Sequence, residues 1–333
     1  MSDAKSSSAT ATTGTAEPGR RYRGRFAPSP SGPLHFGSLV AAVGSFLEAR
    51  AQGGEWLVRI EDLDPPRERA GAADDILAML DRLGLHWDGP VLRQSNRTAA
   101  YAAALERLAA ADCLRRCHCS RAQLAGLPEN QQRAPGEELF HPVRCLAVRN
   151  RPDDPPAWRF RSPDRDIEFV DRVQGPQRSN VARSIGDFVL QRRDGLYAYQ
   201  LAVVVDDADQ AVTDVVRGAD LLSSTARQMV LQQALRLPGL TYMHLPIAVG
   251  NNGIKLSKSE DAPALSRSSP ATQVVAALEF LRQAPPAGLA RAPLADVWQW
   301  AIAHWQPQRV AGIRTSQVTL APQAQSQTGS SSP

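Results

Sequence analysis

Apolar residues in this chain fall into short blocks with two different periods, and the alternation of those periods predicts an α/β protein. Residues 21–26 read as a short strand, followed by a Pro/Gly/Ser loop and then apolar positions at helical spacing from 34 to about 50. Residues 55–60 (Glu-Trp-Leu-Val-Arg-Ile) read as a second, buried strand, which completes a β-α-β unit. The acidic run Glu61-Asp62-Leu63-Asp64-Pro65-Pro66 then falls at the carboxyl end of that strand, where open α/β sheets place ligands. Helical spacing returns over 72–83 and 98–111, so helices cover a sheet in this part of the chain.

From 113 to 171 the pattern breaks: Cys, Pro and Arg become frequent and long apolar runs disappear, as in an inserted subdomain. Beyond it, 181–190 reads as a strand, Arg193-Asp194-Gly195 as a turn and 195–205 as a second apolar segment. A strand over 211–216 leads into Arg217-Gly218-Ala219-Asp220, a helix is predicted over 221–235, and a strand over 242–249. Helices around 271–283 and 293–305 follow, separated by a Pro/Ala linker, and the chain ends in a polar Gln/Ser/Thr stretch. The expected organisation is a disordered extension (1–20), the first half of a catalytic core (21–112), an inserted metal-binding subdomain (113–175), the second half of the core (176–265), a short helical cap (266–316) and a disordered tail (317–333). No internal repeat is visible.

Composition narrows the class. Charged residues make up 22% and hydrophobic ones 43%, ordinary for a globular protein. No apolar run approaches the roughly 18 residues of a spanning helix. The first 20 residues, rich in Ser, Ala and Thr, lack the apolar core of a secretory signal, so a cytoplasmic setting and no membrane association are expected. A net charge of +4 is compatible with a polyanionic partner without requiring one.

The four cysteines, 113, 117, 119 and 145, lie in one window, which in a reducing compartment points to a metal rather than to disulfides. Cys117-His118-Cys119 followed by His141 and Cys145 supplies two close pairs separated by a loop, and zinc takes four N/S ligands of this kind. Cys117, Cys119, His141 and Cys145 are the expected ligands. His118 competes for the fourth place, but its side chain would diverge from those of its neighbours. One structural Zn²⁺ would staple a subdomain too small to build its own core.

Two further motifs carry chemistry. Pro33-Leu34-His35-Phe36-Gly37-Ser38 lies on the loop and helix start after the first strand, and Lys255-Leu256-Ser257-Lys258-Ser259 follows Gly250-Asn251-Asn252-Gly253. A Pro/Gly/Ser loop opening a helix lets backbone N–H groups approach a triphosphate, and His35 can donate to a phosphate oxygen. Gly37 keeps the surface open for adenine. Lys255 and Lys258 can both face departing phosphates from a loop able to close and reopen. Each motif alone is a weak pattern; in this order they form an ATP-phosphate clamp.

On these residues, with Arg25-Phe26-Ala27-Pro28-Ser29-Pro30, the sequence resembles the class I aminoacyl-tRNA synthetases of the glutamyl/glutaminyl branch, from residue 21 to about 264. The resemblance implies a Rossmann-type α/β catalytic core. It implies His35, Lys255 and Lys258 as catalytic residues and His35, Gly37, Ser38 and Lys258 as ATP-binding residues, with Mg²⁺ accompanying ATP. Ser38 departs from the histidine usual at the fourth position of the first motif. The stretch Arg25, Phe26, Ala27, Pro28, Ser29 would bind L-glutamate, with Glu61 on its ammonium and Tyr199 and Arg217 reading its side-chain end. Related enzymes commonly carry tyrosine where His141 falls, a substitution that is conservative for zinc.

Only about 75 residues follow Lys258, too few for the large anticodon-binding region of a glutamyl- or glutaminyl-tRNA synthetase. Within the branch the chain is most similar to the glutamyl-queuosine tRNA(Asp) synthetase family. Members activate glutamate with ATP and attach it to the queuosine base in the anticodon loop of tRNA(Asp); a monomer and tRNA-independent activation are expected. The alternatives are a truncated glutamyl-tRNA synthetase charging a 3′ end and a catalytically silent RNA- or nucleotide-binding paralogue.

Overall fold

The structure, a computed structural model, describes residues 20–133, 138–142, 155–250 and 268–318. Its first part alternates β1 (Arg23–Phe26), α1 (Phe36–Ala51), β2 (Glu55–Ile60), α2 (Ala72–Arg82), β3 (Leu92–Arg93) and α3 (Thr98–Ala110). The next part contains β4 (Leu114–Cys117), α4 (Arg121–Ala125), β5 (Ala157–Phe160), β6 (Asp166–Asp171), β7 (Gly175–Asn180), α5 (Val181–Ser184) and β8 (Phe188–Gln191). Then come α6 (Tyr199–Asp209), β9 (Asp214–Gly218), α7 (Leu222–Ala234), β10 (Thr241–Leu245), β11 (Ile247–Val249), α8 (Pro270–Phe280), α9 (Leu294–Ala303) and β12 (Thr315–Gln317).

Strands β1, β2 and β3 form one parallel sheet and β9 and β10 another. The two meet where Arg23 and Thr213 exchange hydrogen bonds: the Arg23 N–H donates to Thr213 Oγ1 and the Thr213 N–H to the Arg23 carbonyl, both at 2.8 Å. The strand order therefore runs β3-β2-β1-β9-β10 and reverses direction at β1. Such a reversal opens a crevice beyond the carboxyl ends of the central strands, because the connecting helices leave on opposite faces.

One face is covered by α1, whose Leu39, Val43 and Leu47 are fully buried in a core shared with Leu278 of α8 and Val297 and Trp298 of α9. The other face is covered by α3, α6 and α7, with Tyr101, Leu201 and Leu231 in a second core. Two indoles fasten the C-terminal part: Trp298 Nε1 donates to the Leu83 carbonyl at 2.9 Å and Trp305 Nε1 to Glu48 Oε2 at 2.7 Å.

The structure corrects the sequence reading in several places. Residues 181–190 are not one strand: Asn180 accepts from the Arg183 N–H, capping a single helical turn, and the strand begins only at Phe188. The apolar segment read over 195–205 is α6, and its continuous apolar run suits a helix buried between α3 and α7. The strand read over 242–249 breaks into β10 and β11 at Pro246, which has no N–H for a ladder. The cap is not purely helical, because β12 pairs in parallel with β11. The antiparallel sheet β4-β5-β8 also draws on residues 188–191, beyond the 175 boundary drawn for the inserted region. Among the described residues, no helix is long and apolar enough to cross a membrane.

Candidate active site

A cavity of about 300 Å³ lies at the carboxyl ends of β1, β2, β9 and β10. Arg25, Phe26, Ala27, Pro28 and Ser29 enter it from β1 and the loop beyond, His35, Gly37 and Ser38 from the start of α1, Glu61 from the end of β2, Tyr199 from α6 and Arg217 from β9. Residues separated by almost 200 positions thus line one crevice. Lys255 and Lys258 lie outside the described residues, as does Cys145.

At one end of the cavity His35 is the N-cap of α1. Its Nδ1 accepts from the Ser38 N–H at 3.2 Å, and the Ser38 hydroxyl lies 3.1 Å from Nε2, so Ser38 holds the ring rather than standing apart from it. A Cβ built on Gly37 would lie 3.2 Å from ring atoms Cε1 and Nδ1, so glycine makes room for the imidazole at this position. Amides in the first turn of a helix carry partial positive charge, which suits an anion at this end.

The other end is built from buried charge. Arg25 donates through Nε and Nη2 to Asp207 at 3.0 and 3.4 Å, and Arg59, fully buried on β2, donates through Nη2 to the same carboxylate at 2.7 Å. Burial opposes ionisation of Asp207, but the two guanidinium groups outweigh it and hold its carboxyl below the usual range. Arg59 Nη2 is also 3.7 Å from Glu61 Oε1, an oxygen that accepts no hydrogen bond. Burial raises the Glu61 carboxyl to about 7, against the pull of Arg59 and Arg25. A carboxylate so placed has an unmet need for a cation.

Arg217 is gripped on several sides. Its Nε donates to His244 Nε2 at 3.0 Å, Nη1 to Gln228 Oε1 at 2.8 Å and to the Tyr199 hydroxyl at 3.3 Å, and Nη2 to Thr225 Oγ1 at 3.0 Å and the Leu221 carbonyl at 3.3 Å. Behind it, His244 Nδ1 lies 2.6 Å from Asp171 Oδ2, both residues being fully buried. A guanidinium fixed in this way suits a carboxylate.

Sequence reasoning gave no role to Arg59, Asp171, Gln228 or His244, and noted Asp207 only as part of a run. Signals existed: Arg59 interrupts the buried strand Trp56 to Ile60, Asp206-Asp207 follows an apolar run, and His244 sits between Met243 and Leu245. None of these says what the polar group faces.

Cys117 at the end of β4, Cys119 and His141 form a separate cluster whose ligand atoms lie within 4.8 Å of one another. Cys117 Sγ is 3.1 Å from His141 Nε2. His141 reaches this place through a bridge to Gly186, which has φ +73° and where a Cβ would fall 1.7 Å from the His141 carbonyl oxygen; only glycine fits. Burial lowers the His141 ring to about 4, which leaves it neutral with a lone pair for a metal. Thiols and a neutral imidazole, buried and convergent, fit a zinc ion.

A family model for the catalytic domain of class I tRNA synthetases (E and Q) matches residues 21–292. The chain belongs to this family. It is 55% identical over 284 residues to a glutamyl-Q tRNA(Asp) synthetase of Dechloromonas aromatica, covering 85% of this chain and 94% of that one. It is 51% identical over 294 residues to the glutamyl-Q tRNA(Asp) synthetase of Pseudomonas aeruginosa, covering 88% and 97%. Its fold is similar to that of a glutamate-tRNA synthetase from Elizabethkingia anophelis, with a TM-score of 0.73 at 24% identity over 90% of this chain and 68% of the other. The resemblance read from the two motifs is borne out, and with it the class I α/β catalytic fold.

Proposed function

We propose that the protein is an enzyme that activates L-glutamate with ATP, without tRNA, and transfers the glutamyl group to the queuosine base in the anticodon loop of tRNA(Asp). The observation that carries this reading is that relatives named glutamyl-Q tRNA(Asp) synthetase match at 50–55% identity over most of their length. The cavity supports it chemically, because cationic, anionic and helix-start groups converge there as two carboxylates, an ammonium and a triphosphate require.

In this reading glutamate lies between Arg25 and Arg217. Arg25, held by Asp207, and the stretch from Phe26 through Ala27 and Pro28 to Ser29 bind its backbone end. Glu61 takes the ammonium, and Arg217 with Tyr199 takes the side-chain carboxylate. Glutamine would leave part of Arg217 without a charged partner, which disfavours it. ATP, arriving with Mg²⁺, lies along the start of α1 with its phosphates toward His35 and Ser38 and its adenine near Gly37. A glutamate α-carboxylate oxygen attacks the α-phosphorus, the bond to the β-phosphate bridging oxygen breaks, and pyrophosphate leaves. His35, Lys255 and Lys258 stabilise the charge on the departing phosphates. The acceptor on the modified base then attacks the acyl carbon and releases AMP.

A zinc ion would be held by Cys117, Cys119 and His141, with Cys145 as the fourth ligand. It would supply cross-linking of the inserted region, and no step of the reaction uses it.

Glutamate-dependent exchange between ATP and pyrophosphate, measured without tRNA, tests the first step. Exchange is expected with glutamate and not glutamine, and Lys258→Ala is expected to lower it by about 100-fold, the scale of lost transition-state stabilisation by one charge, with zinc content unchanged. No exchange without tRNA would overturn tRNA-independent activation, and full exchange in Lys258→Ala would remove that lysine from the mechanism.

A further inference from the structure

The guanidinium of Arg217 has five N–H donors and each has an acceptor, but the five contacts are not alike. The two to Tyr199 and Leu221 are 3.3 Å long, and both of those residues line the cavity. The three to His244, Gln228 and Thr225 are 2.8 to 3.0 Å long, and none of those residues lines it. Arg217 is therefore held firmly from behind and weakly from the front, where an incoming carboxylate can replace the long contacts.

The contact to His244 differs from the others, because an imidazole nitrogen accepts only when it carries no proton. Arg217 Nε can only donate, so His244 Nε2 must be bare and the ring proton must reside on Nδ1. Asp171 Oδ2, 2.6 Å from Nδ1, accepts that proton's hydrogen bond and so fixes the tautomer. The carboxylate is itself anchored: Oδ1 accepts the N–H groups of Gln174 at 2.8 Å, Val173 at 3.0 Å and His244 at 3.2 Å. Thr225 Oγ1, 3.3 Å from Nε2, accepts from Arg217 Nη2 and can turn its own proton toward the ring. A doubly protonated ring would set two donors against each other at Arg217.

We propose that His244, oriented by Asp171, is a positioning residue that sets the Arg217 guanidinium for the substrate side-chain carboxylate and thereby determines affinity for glutamate. The inference deepens the proposed function and rests on its reading of Arg217. The competing role is structural: Asp171 joins the β6–β7 hairpin to β10 through the same hydrogen bonds, and His244 would then matter only as a donor to Asp171.

Two substitutions separate these roles, because each keeps one half of the imidazole. His244→Gln places an amide oxygen near Nε2 and keeps an acceptor for Arg217. His244→Asn places an amide N–H near Nδ1 and keeps the donor to Asp171. In glutamate-dependent pyrophosphate exchange, His244→Asn is expected to raise the KM for glutamate by about tenfold or more, the scale of one hydrogen bond to a charged group, with the KM for ATP unchanged. His244→Gln is expected to stay closer to the wild type. The reverse ranking, or equal loss in both with the KM for ATP also raised, would overturn it. Arg217→Lys is run alongside. An unchanged KM for glutamate there would refute the reading of Arg217 itself, whereas a raised KM there with a normal His244→Asn would refute the positioning role alone. If either His244 variant fails to fold, nitrogen NMR of the wild-type ring decides: an unprotonated Nε2 whose resonance shifts as glutamate saturates the site supports the proposal, and a protonated Nε2, or one that glutamate leaves unmoved, overturns it.

Discussion

Glu61 has a buried carboxyl raised to about 7, with Arg59 3.7 Å away and one oxygen lacking a hydrogen-bond partner. If it holds the substrate ammonium, only its ionised form can do so. Neither the carboxylates nor the ammonium of free glutamate titrate between pH 6 and 8, so the pH dependence of binding in that window belongs to the protein. Protonation of Glu61 removes the anion as pH falls. The KM for glutamate is therefore expected to be flat above about pH 8 and to rise toward tenfold per pH unit below about 6, since occupancy of the charged form falls in that proportion. Glu61→Gln should raise the KM about tenfold or more at pH 8 and flatten the profile. Pyrophosphate exchange against pH reads both, and an unchanged slope in Glu61→Gln would remove Glu61 from the ammonium site. Much of this end of the cavity was legible in the sequence. Arg25, Glu61, Tyr199 and Arg217 carry motif positions, whereas Arg59, Asp207 and His244 act through partners far away in sequence, and periodicity carries no information about such pairing.

At the scale of elements, the Cys117, Cys119 and His141 cluster shows how few residues bring candidate metal ligands together. Cys117 ends β4, the Ser120 side chain and Gln123 form a capping box that starts α4, and Gly186 lets the backbone approach His141 closely enough to bridge it. Apolar packing at the cluster itself is slight: Leu124 is buried beside the two cysteines in a small core, whereas Phe160, Phe188 and Leu190 of the adjoining sheet are buried in the larger second core. A metal is expected to contribute much of the local stability. One zinc per chain is the expected content by metal analysis. Cys117→Ser should lose it and lower the Tm by at least about 5 °C, while the KM for glutamate below the new midpoint stays within about twofold, because distant sites act independently. A metal-free wild type with an unchanged Tm would contradict this. Helices α2 and α3 were legible because one face of each is apolar. The break at Pro246 and the helical turn after Asn180 each carry a local signal, a Pro and an Asn cap, but the β-branched residues around them favour a continuous strand.

For the molecule as a whole, the reversal of strand order at β1 explains why one crevice collects groups from so many segments. The C-terminal part contributes as well: β12 pairs with β11, whose Ile247 and Ala248 line the cavity, and Gln174 Nε2 donates to the carbonyls of both His244 and Ile313 at 2.9 and 2.8 Å. The C-terminal segment and the cavity are thus mechanically joined. The acceptor is read from the relatives named glutamyl-Q tRNA(Asp) synthetase. The most direct test is transfer of labelled glutamate to tRNA(Asp) with and without queuosine, followed by nuclease mapping of the product. Label is expected only on queuosine-containing tRNA and only in the anticodon-loop fragment. Label on the terminal adenosine, or equal labelling of tRNA lacking queuosine, would contradict it.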